Sequence, residues 1–171
     1  EKDDGIYDAW NKASKYISGE WVIFLGAGDA FINDNFSDLY HYVADVEPTE
    51  SKLIYGNVRL VDKAGVVLKT YKKIKPNDWS NGRPYLPCHQ GVFQHNSLFL
   101  DNVVFDGKYK IAADSKFLLE SMRITNLRYV DLDFSTMQMY GVSTNPVHIL
   151  KVKKELQILR GDLGLKMPFF D

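Results

Sequence analysis

The hydrophobic pattern of the chain centres on one short apolar run, Trp21 to Leu25, which shows no polar alternation. Gly19 precedes the run, and Gly26, Gly28 and Asp29 follow it. An apolar run of this length between glycines predicts a strand that is covered on both faces, as in a parallel sheet. We therefore expect Asp29 to project beyond the carboxyl end of a buried strand, where ligands bind in open α/β sheets.

Apolar residues at helical spacing predict four helices. They run from residue 6 to 17, from 35 to 44, from 114 to 122 and from 145 to 159. We expect Asp3 or Asp4 to cap the first helix, and we expect Asp114 to lie at the amino terminus of the third. The inner face of the second helix is predicted to carry four residues, Phe36, Leu39, Tyr40 and Val43.

Runs of β-prone residues predict strands between these helices. They cover residues 52–61, 66–71, 88–94, 128–132 and 134–139. The turn signal at residues 62–65 joins the first two strands as a hairpin. The segment 72–87 is rich in Pro, Gly, Asn and Lys, which predicts a long surface connection that borders a site. Helices and strands in this order indicate an α/β fold.

Composition limits the classes of protein to which the chain can belong. With 171 residues, 45% hydrophobic and 13% aromatic, it is predicted to be one globular domain. A net charge of -1 gives no electrostatic reason to expect nucleic acid as a partner, because the basic cluster Lys72, Lys73 and Lys75 is short and typical of a solvated loop. The lone Cys88 and the lack of a long apolar span predict a soluble protein of a reducing compartment, cytoplasmic or peripheral to the inner face of a membrane.

Asp29 and Asp114 are candidates for chemistry, and each has a structural alternative. A carboxylate after a glycine-flanked strand suits a hard cation and its phosphates, whereas Asp29 could equally close a turn or cap the helix that follows. Asp114 at a helix terminus could equally be an N-cap whose side chain accepts a backbone N–H. The two residues alone leave these alternatives open.

An ordered set of short motifs resembles family 2 glycosyltransferases of the GT-A fold. The set comprises Asp4 to Lys12 (Asp-Gly-Ile-Tyr-Asp-Ala-Trp-Asn-Lys), Trp21 to Asp29, the pair His89-Gln90, and Ala112-Ala113-Asp114. The resemblance covers nearly all of the chain and implies a partial GT-A fold, with a mixed sheet flanked by helices. The strands that hold the nucleotide base in such enzymes have no counterpart, so we expect residues 1–171 to form a single domain that lacks its N-terminal strands.

The resemblance implies an inverting glycosyltransferase that moves a sugar from a nucleotide-sugar donor to an acceptor hydroxyl, in polysaccharide or cell-surface glycan synthesis. The acceptor would be a glycan or a lipid-linked sugar, and Mg²⁺ or Mn²⁺ would assist. Asp29 matches the last acid of the family's Asp-x-Asp motif, which implies that it binds the metal and the donor, although Gly26 and Gly28 replace its usual acidic neighbours. Asp114 matches the family's general base.

Further residues receive weaker roles from the same resemblance. His89 and Gln90 match a pair near the acceptor or the diphosphate, although a strand histidine is commonly structural. Asp4 and Asn11 would contact the donor, whereas the spacing of Asp8 and Lys12 suits an ordinary helix ion pair. Residues 140–143 resemble a turn before a mobile loop that closes over the donor, and His148 would be either a metal ligand or a solvent-facing residue.

The same residues allow two alternative functions, and the predicted strand at residues 21–25 suggests that the chain self-associates. A non-catalytic GT-A-like module that binds a glycan or a protein partner is the alternative function. A glycoside hydrolase that uses Asp29 and Asp114 is disfavoured, because its two acids must flank one sugar bond. We also expect the strand at residues 21–25 to have an open edge through which the chain self-associates.

Overall fold

The computed structural model describes residues 2–32, 34, 36–75, 79–80, 83–100, 105–139 and 146–165. Its centre is a six-stranded mixed sheet with helices packed on both faces. The predicted α/β class and mixed sheet are therefore confirmed.

The helices and strands have the following bounds. The helices are α1 (Ile6–Ser14), α2 (Phe36–Ala44), α3 (Ser97–Leu100), α4 (Ala113–Ser121) and α5 (Ile149–Asp162). The main sheet consists of β1 (Trp21–Val22), β2 (Ala30–Phe31), β3 (Ser51–Val61), β4 (Val67–Tyr71), β7 (Val92–His95) and β8 (Asn126–Gln138). A separate pair consists of β5 (Trp79–Ser80) and β6 (Arg83–Pro84).

The long strand β3 forms the middle of the sheet. It runs parallel to β8 and antiparallel to β7 and β4, so the predicted hairpin of β3 and β4 is confirmed. Alternate residues of β3 point to opposite faces. Leu53 and Tyr55 pack in the core that includes residues of α1, α4 and α5, whereas Ile54 packs with Leu39 of α2.

The apolar run Trp21 to Leu25 is not the buried parallel strand that its sequence predicts. Only β1 is a strand, and it pairs antiparallel with β7. Of the five residues, only Phe24 is buried. Its ring lies 5.0 Å from that of Trp10 and 5.1 Å from that of Phe105, measured between centroids. The apolar pattern therefore reflects packing in an aromatic core after the chain has left the sheet.

β1 is the first strand in the order β1-β7-β3-β8-β2. Its only strand partner among the described residues is β7, so one of its edges has no neighbouring strand in that part of the chain. This position agrees with the expected open edge. Self-association through this edge stays a prediction.

Other element bounds differ from the predictions. The segments 128–132 and 134–139 form one continuous strand, β8. The predicted strand at 88–94 begins only at Val92, because His89–Gly91 is a 3₁₀ turn. Gly91 lets this turn approach β3, since a Cβ at this position would lie 2.4 Å from the Val58 side chain.

Two details of the helices were also predicted wrongly. Gly5, with φ 118°, is the N-cap of α1, and it donates its N–H to Asp3 Oδ1 over 3.1 Å. On α2, Leu39 is buried, but Phe36 and Tyr40 are 52% and 59% exposed. The apolar spacing thus predicted the position of α2 correctly, but it predicted a wider buried face than the helix has. The predicted cap of the last helix, Asn145, lies outside the described residues.

Candidate active site

Asp29 lies in the turn between β1 and β2. Its Oδ2 accepts the N–H of Gly26 over 3.1 Å, and its Oδ1 accepts the N–H of Gln138 over 3.3 Å. Gly28 has φ 91°, and a Cβ there would lie 2.8 Å from Gln138 Oε1, so this turn requires glycine. Asp29 therefore closes the turn, and each of its oxygens keeps a lone pair for a ligand.

Asp114 is the second residue of α4 and is half-buried. Its Oδ1 accepts the N–H of Ser115 over 2.7 Å. The predicted position at a helix terminus is confirmed, but Asp114 is not the N-cap, because Ala112 occupies that position. Burial raises the pKa of the Asp114 carboxyl above its ordinary value. A carboxylate with a raised pKa takes up a proton more readily, as a general base must.

Tyr7 of α1 contacts the Asp114 carboxylate. The Tyr7 hydroxyl lies 3.2 Å from Asp114 Oδ1 and 2.7 Å from the carbonyl oxygen of Ile111, and these two acceptors share its single proton. Burial and then the negative charge of Asp114 raise the pKa of the phenol, so the hydroxyl stays protonated. The sequence interpretation did not select Tyr7, although it lies within the motif Asp4 to Lys12.

Glu155 of α5 fixes the backbone that leads into α4. Its Oε1 accepts the N–H of Lys110 over 3.0 Å. Its Oε2 accepts the N–H groups of Ile111 and Ala112 over 2.8 and 3.0 Å. Hydrogen bonds to an ionised carboxylate are stronger than neutral ones, so Glu155 holds the segment that positions Asp114. No local pattern marks a helix glutamate for such a contact.

His89 lies in the core, with 4% of its surface exposed. Its ring packs against those of Trp10 and Phe24, with centroid distances of 5.1 and 6.0 Å. The Gln94 amide donates to Nε2 over 2.8 Å. Burial lowers the pKa of His89 to about 3, so the imidazole is neutral. These contacts favour the structural alternative for His89 over a contact with the acceptor.

The remaining predicted residues have different surroundings. The Asn11 amide makes two hydrogen bonds with the backbone of Phe105, of 2.6 and 2.9 Å, which favours a structural role. Asp4 is exposed, and Asp8 forms the predicted ion pair with Lys12 at 3.0 Å. Gln90 is half-buried, and its carbonyl oxygen accepts the Ser135 hydroxyl over 2.7 Å. The loop at residues 140–143 lies outside the described residues.

Cys88 connects Asp29 and Asp114 electrostatically. Burial raises the pKa of its thiol to about 12, the Lys69 ammonium opposes this rise, and the Asp114 and Asp29 carboxylates add to it. Both carboxylates therefore lie close enough to Cys88 to act on its charge. Two acids that are far apart in the sequence therefore act on the same thiol.

Asp29 fits one common mode of metal binding. In the described part of the chain, no three His, Cys, Asp or Glu side chains form a group that could hold a metal ion. Mg²⁺, however, is often bound by one or two carboxylates together with water and substrate phosphates. Because the Asp29 oxygens keep free lone pairs, this residue would hold a divalent cation in that mode.

A cleft opens beside Cys88 between β4 and α5. Its volume is about 1140 Å³. The segments 72–74 and 84–88 line it, so the predicted surface connection does border a cavity. Neither Asp29 nor Asp114 lines the cleft, which approaches them at Cys88. No helix within the described residues is both long and apolar enough to span a membrane.

The chain is similar to curated glycosyltransferases. The PGL/p-HBAD biosynthesis glycosyltransferases of Mycobacterium bovis (strain BCG / Pasteur 1173P2) and Mycobacterium tuberculosis (strain ATCC 25177 / H37Ra) are each 25% identical to it over 154 residues. The matches cover 86% of the chain and 56% of each relative, so the chain spans about half the length of these relatives. No protein-family model matches the chain.

The fold is shared with S. aureus TarS. TarS 1–349 in complex with UDP-GlcNAc matches with a TM-score of 0.59 and 18% identity, over 82% of the chain and 40% of that TarS 1–349 chain. The complex of TarS 1–349 with UDP matches with a TM-score of 0.52 and 16% identity, over 90% of the chain and 48% of that TarS 1–349 chain. Together with the curated relatives, these structures confirm the resemblance to GT-A-type glycosyltransferases over part of their length.

Proposed function

We propose that the chain carries the acceptor side and the metal-binding turn of an inverting family 2 glycosyltransferase. The reaction moves a sugar from a nucleotide-sugar donor to a hydroxyl of a glycan or lipid-linked acceptor, in polysaccharide or cell-surface glycan synthesis. The observation that carries the proposal is the Asp114 carboxylate at the start of α4, which the Tyr7 hydroxyl contacts at 3.2 Å and whose pKa is raised by burial. The similarity to curated glycosyltransferases and to TarS, whose structures include a UDP-GlcNAc complex, supports it.

Asp114 is the proposed general base. The acceptor hydroxyl gives its proton to the Asp114 carboxylate while its oxygen attacks the anomeric carbon of the donor sugar. The bond from that carbon to the phosphate oxygen breaks, and the nucleoside diphosphate leaves with the electron pair. Attack from the face opposite the leaving group inverts the anomeric centre. Tyr7 and Glu155 position the base by their hydrogen bonds to Asp114 and to the preceding backbone.

Asp29 is the proposed ligand of Mg²⁺ or Mn²⁺ on the donor side. When bound, such an ion supplies Lewis-acid stabilisation of the charge on the departing diphosphate. The turn at Gly26 and Gly28 keeps the carboxylate in place through backbone contacts. Asp4 remains a candidate donor contact because its side chain is exposed. The single thiol, Cys88, agrees with a reducing, cytoplasmic location, which is part of the proposal.

The test is release of nucleoside diphosphate from a panel of uridine, guanosine and thymidine diphosphate sugars, with and without Mn²⁺. We expect one donor to be turned over by the full-length protein, and we expect Asp114→Asn in that protein to remove the turnover while the protein stays folded. If no donor is turned over but glycans bind with measurable affinity, the non-catalytic binding module replaces this proposal.

A further inference from the structure

The charged residues that line the cleft between β4 and α5 are all positive. Five cationic residues line it, and none of its described lining residues is Asp or Glu. The whole chain has a net charge of -1, so this concentration of positive charge is local. The cations are Lys69, Lys72, Lys73, Lys153 and Arg160.

The lining cations of α5 lie on one face of the helix. Lys153 and Arg160 are seven residues apart, which is close to two helical turns, and both line the cleft. In the described part of the chain, neither has an ion-pair partner. The lysines Lys151 and Lys154 of the same helix are exposed and do not line the cleft. The helix therefore directs one pair of cations into the cleft and another pair away from it.

The lysines of the opposite wall are directed by local contacts. The Lys69 ammonium lies 4.6 Å from the ring centroid of Tyr71, and that of Lys73 lies 5.8 Å from the ring centroid of Tyr129. Among the described residues, only Lys72 of these lysines forms an ion pair, with the Asp131 carboxylate at 3.7 Å. Rings hold an ammonium in place without neutralising it, so the positive charge of this wall stays largely uncompensated.

Apolar side chains share the cleft with the cations. Tyr85 and Ile149 line it and are 47% and 49% exposed, and Leu156 lines it between Lys153 and Arg160. A ligand with anionic groups spaced along a carbon skeleton would contact both kinds of surface. The volume of about 1140 Å³ exceeds what one diphosphate needs.

The cleft contains Cys88, whose thiol is influenced by both candidate acids. Lys69 lines the cleft and is close enough to Cys88 to oppose the rise of its pKa, and Asp29 and Asp114 act on the same thiol. Cys88 lines the cleft too, so a ligand that lies along the cleft could reach the residue on which both carboxylates act. The remaining cations lie on α5 and on the segment that follows β4.

We propose that this cleft binds the acceptor, and that the acceptor is a chain bearing several phosphate groups. The inference rests on the proposed function, which supplies the need for an acceptor. The donor diphosphate is the other phosphate source. We assign it to the Asp29 side because five cations line the cleft and two of them, Lys153 and Arg160, are separated by roughly 10 Å along α5 at the usual rise of a helix.

Inorganic tripolyphosphate is a suitable probe for this cleft. Isothermal titration at low salt should detect its binding to the protein, and added salt should weaken it. In the double variant Lys153→Glu/Arg160→Glu the dissociation constant should rise about 10- to 100-fold, since two charge-assisted contacts become repulsive. The matched control Lys151→Glu/Lys154→Glu has the same change of net charge on the same helix, so it should bind tripolyphosphate nearly as the wild type does.

Two outcomes would overturn the inference. Equal loss of tripolyphosphate binding in both double variants would show that net charge alone is responsible. Loss of uridine diphosphate binding in the cleft variant, measured in parallel, would assign the cleft to the donor. Circular dichroism melting of both variants excludes unfolding as the cause. If no donor sugar is turned over but tripolyphosphate binding depends on Lys153 and Arg160, the proposed reaction fails while the phosphate site stands.

Discussion

The Tyr7 hydroxyl lies 3.2 Å from Asp114 Oδ1 and joins α1 to the amino terminus of α4. Burial raises the pKa of Asp114, and this hydrogen bond lowers it, so the two effects oppose each other. A general base must be ionised to accept a proton, and its pKa therefore sets the acidic limb of the pH–rate profile. The contact thus makes Tyr7, after the backbone N–H of Ser115, one of the groups that set the pH range in which Asp114 is active.

We expect Tyr7→Phe to shift that acidic limb to higher pH. Removal of the hydroxyl removes an interaction that favours the ionised carboxylate, so a larger share of Asp114 is protonated at a given pH. Turnover above the limb should fall by about ten-fold or less, the scale of one hydrogen bond. The measurement is nucleoside diphosphate release across pH. Tyr16→Phe is the control, because Tyr16 is 84% exposed, and equal profiles for the two variants would remove Tyr7 from the site.

Asp114→Asn should lower the turnover number by roughly two orders of magnitude or more, since the amide cannot accept the proton. Donor affinity, measured by titration, should remain. If the variant turns over normally, Asp114 is not the base.

The same variant should change the pH dependence of stability. Burial raises the folded-state pKa above the ordinary value of 3.8, so the folded protein binds the proton more tightly than the unfolded chain does. The stability from this group is present below pH 3.8 and is lost as the pH rises through the folded-state pKa. Asparagine does not titrate, so this loss is absent in Asp114→Asn. As the pH rises over this range, the melting temperature of the variant should therefore fall less than that of the wild type. Equal falls in melting temperature for the variant and the wild type would contradict the raised pKa of Asp114.

Glu155→Gln should destabilise the protein by about 1–3 kcal/mol, because three backbone N–H groups lose an ionised acceptor. Turnover should fall with the donor KM unchanged, since α4 rather than the donor turn is affected. Chemical denaturation and steady-state kinetics are the measurements. Lys154→Gln, on an exposed position of the same helix, is the control. A raised donor KM with an unchanged turnover number would place Glu155 on the donor side instead.

Asp29→Asn should abolish the increase in donor affinity that Mn²⁺ gives, while metal-free donor binding stays the same. The amide oxygen can still accept one backbone N–H, so the turn is better preserved than in Asp29→Ala. Isothermal titration with donor, with and without Mn²⁺, measures the effect. Asp62→Asn is a matched control, because Asp62 Oδ1 also accepts turn N–H groups, over 2.8 and 2.9 Å, after β3. Undiminished metal dependence in Asp29→Asn would reduce Asp29 to a turn residue.

The sequence by itself determined the elements that depend on local pattern. The hairpin of β3 and β4, the helix α2 and the position of Asp114 at the start of α4 followed from periodicity and turn residues. The prediction of a buried parallel strand from Trp21 to Leu25 was wrong. A local apolar pattern indicates that residues are buried, but it does not indicate whether a sheet or an aromatic cluster buries them. The resemblance to glycosyltransferases came from the order of short motifs along the chain, and hydrophobic periodicity alone does not indicate it.

The tertiary structure alone decided which distant residues meet. Tyr7, Asp114 and Glu155 come from three separate helices, and their contacts exist because those helices pack on one face of the sheet. Lys72 and Lys73 were predicted to lie in a solvated loop, and both are exposed, yet they share a cleft with Lys153 and Arg160 of α5. Sequence patterns describe neighbours along the chain, whereas packing between elements sets the charge of a cleft and the partners of a carboxylate.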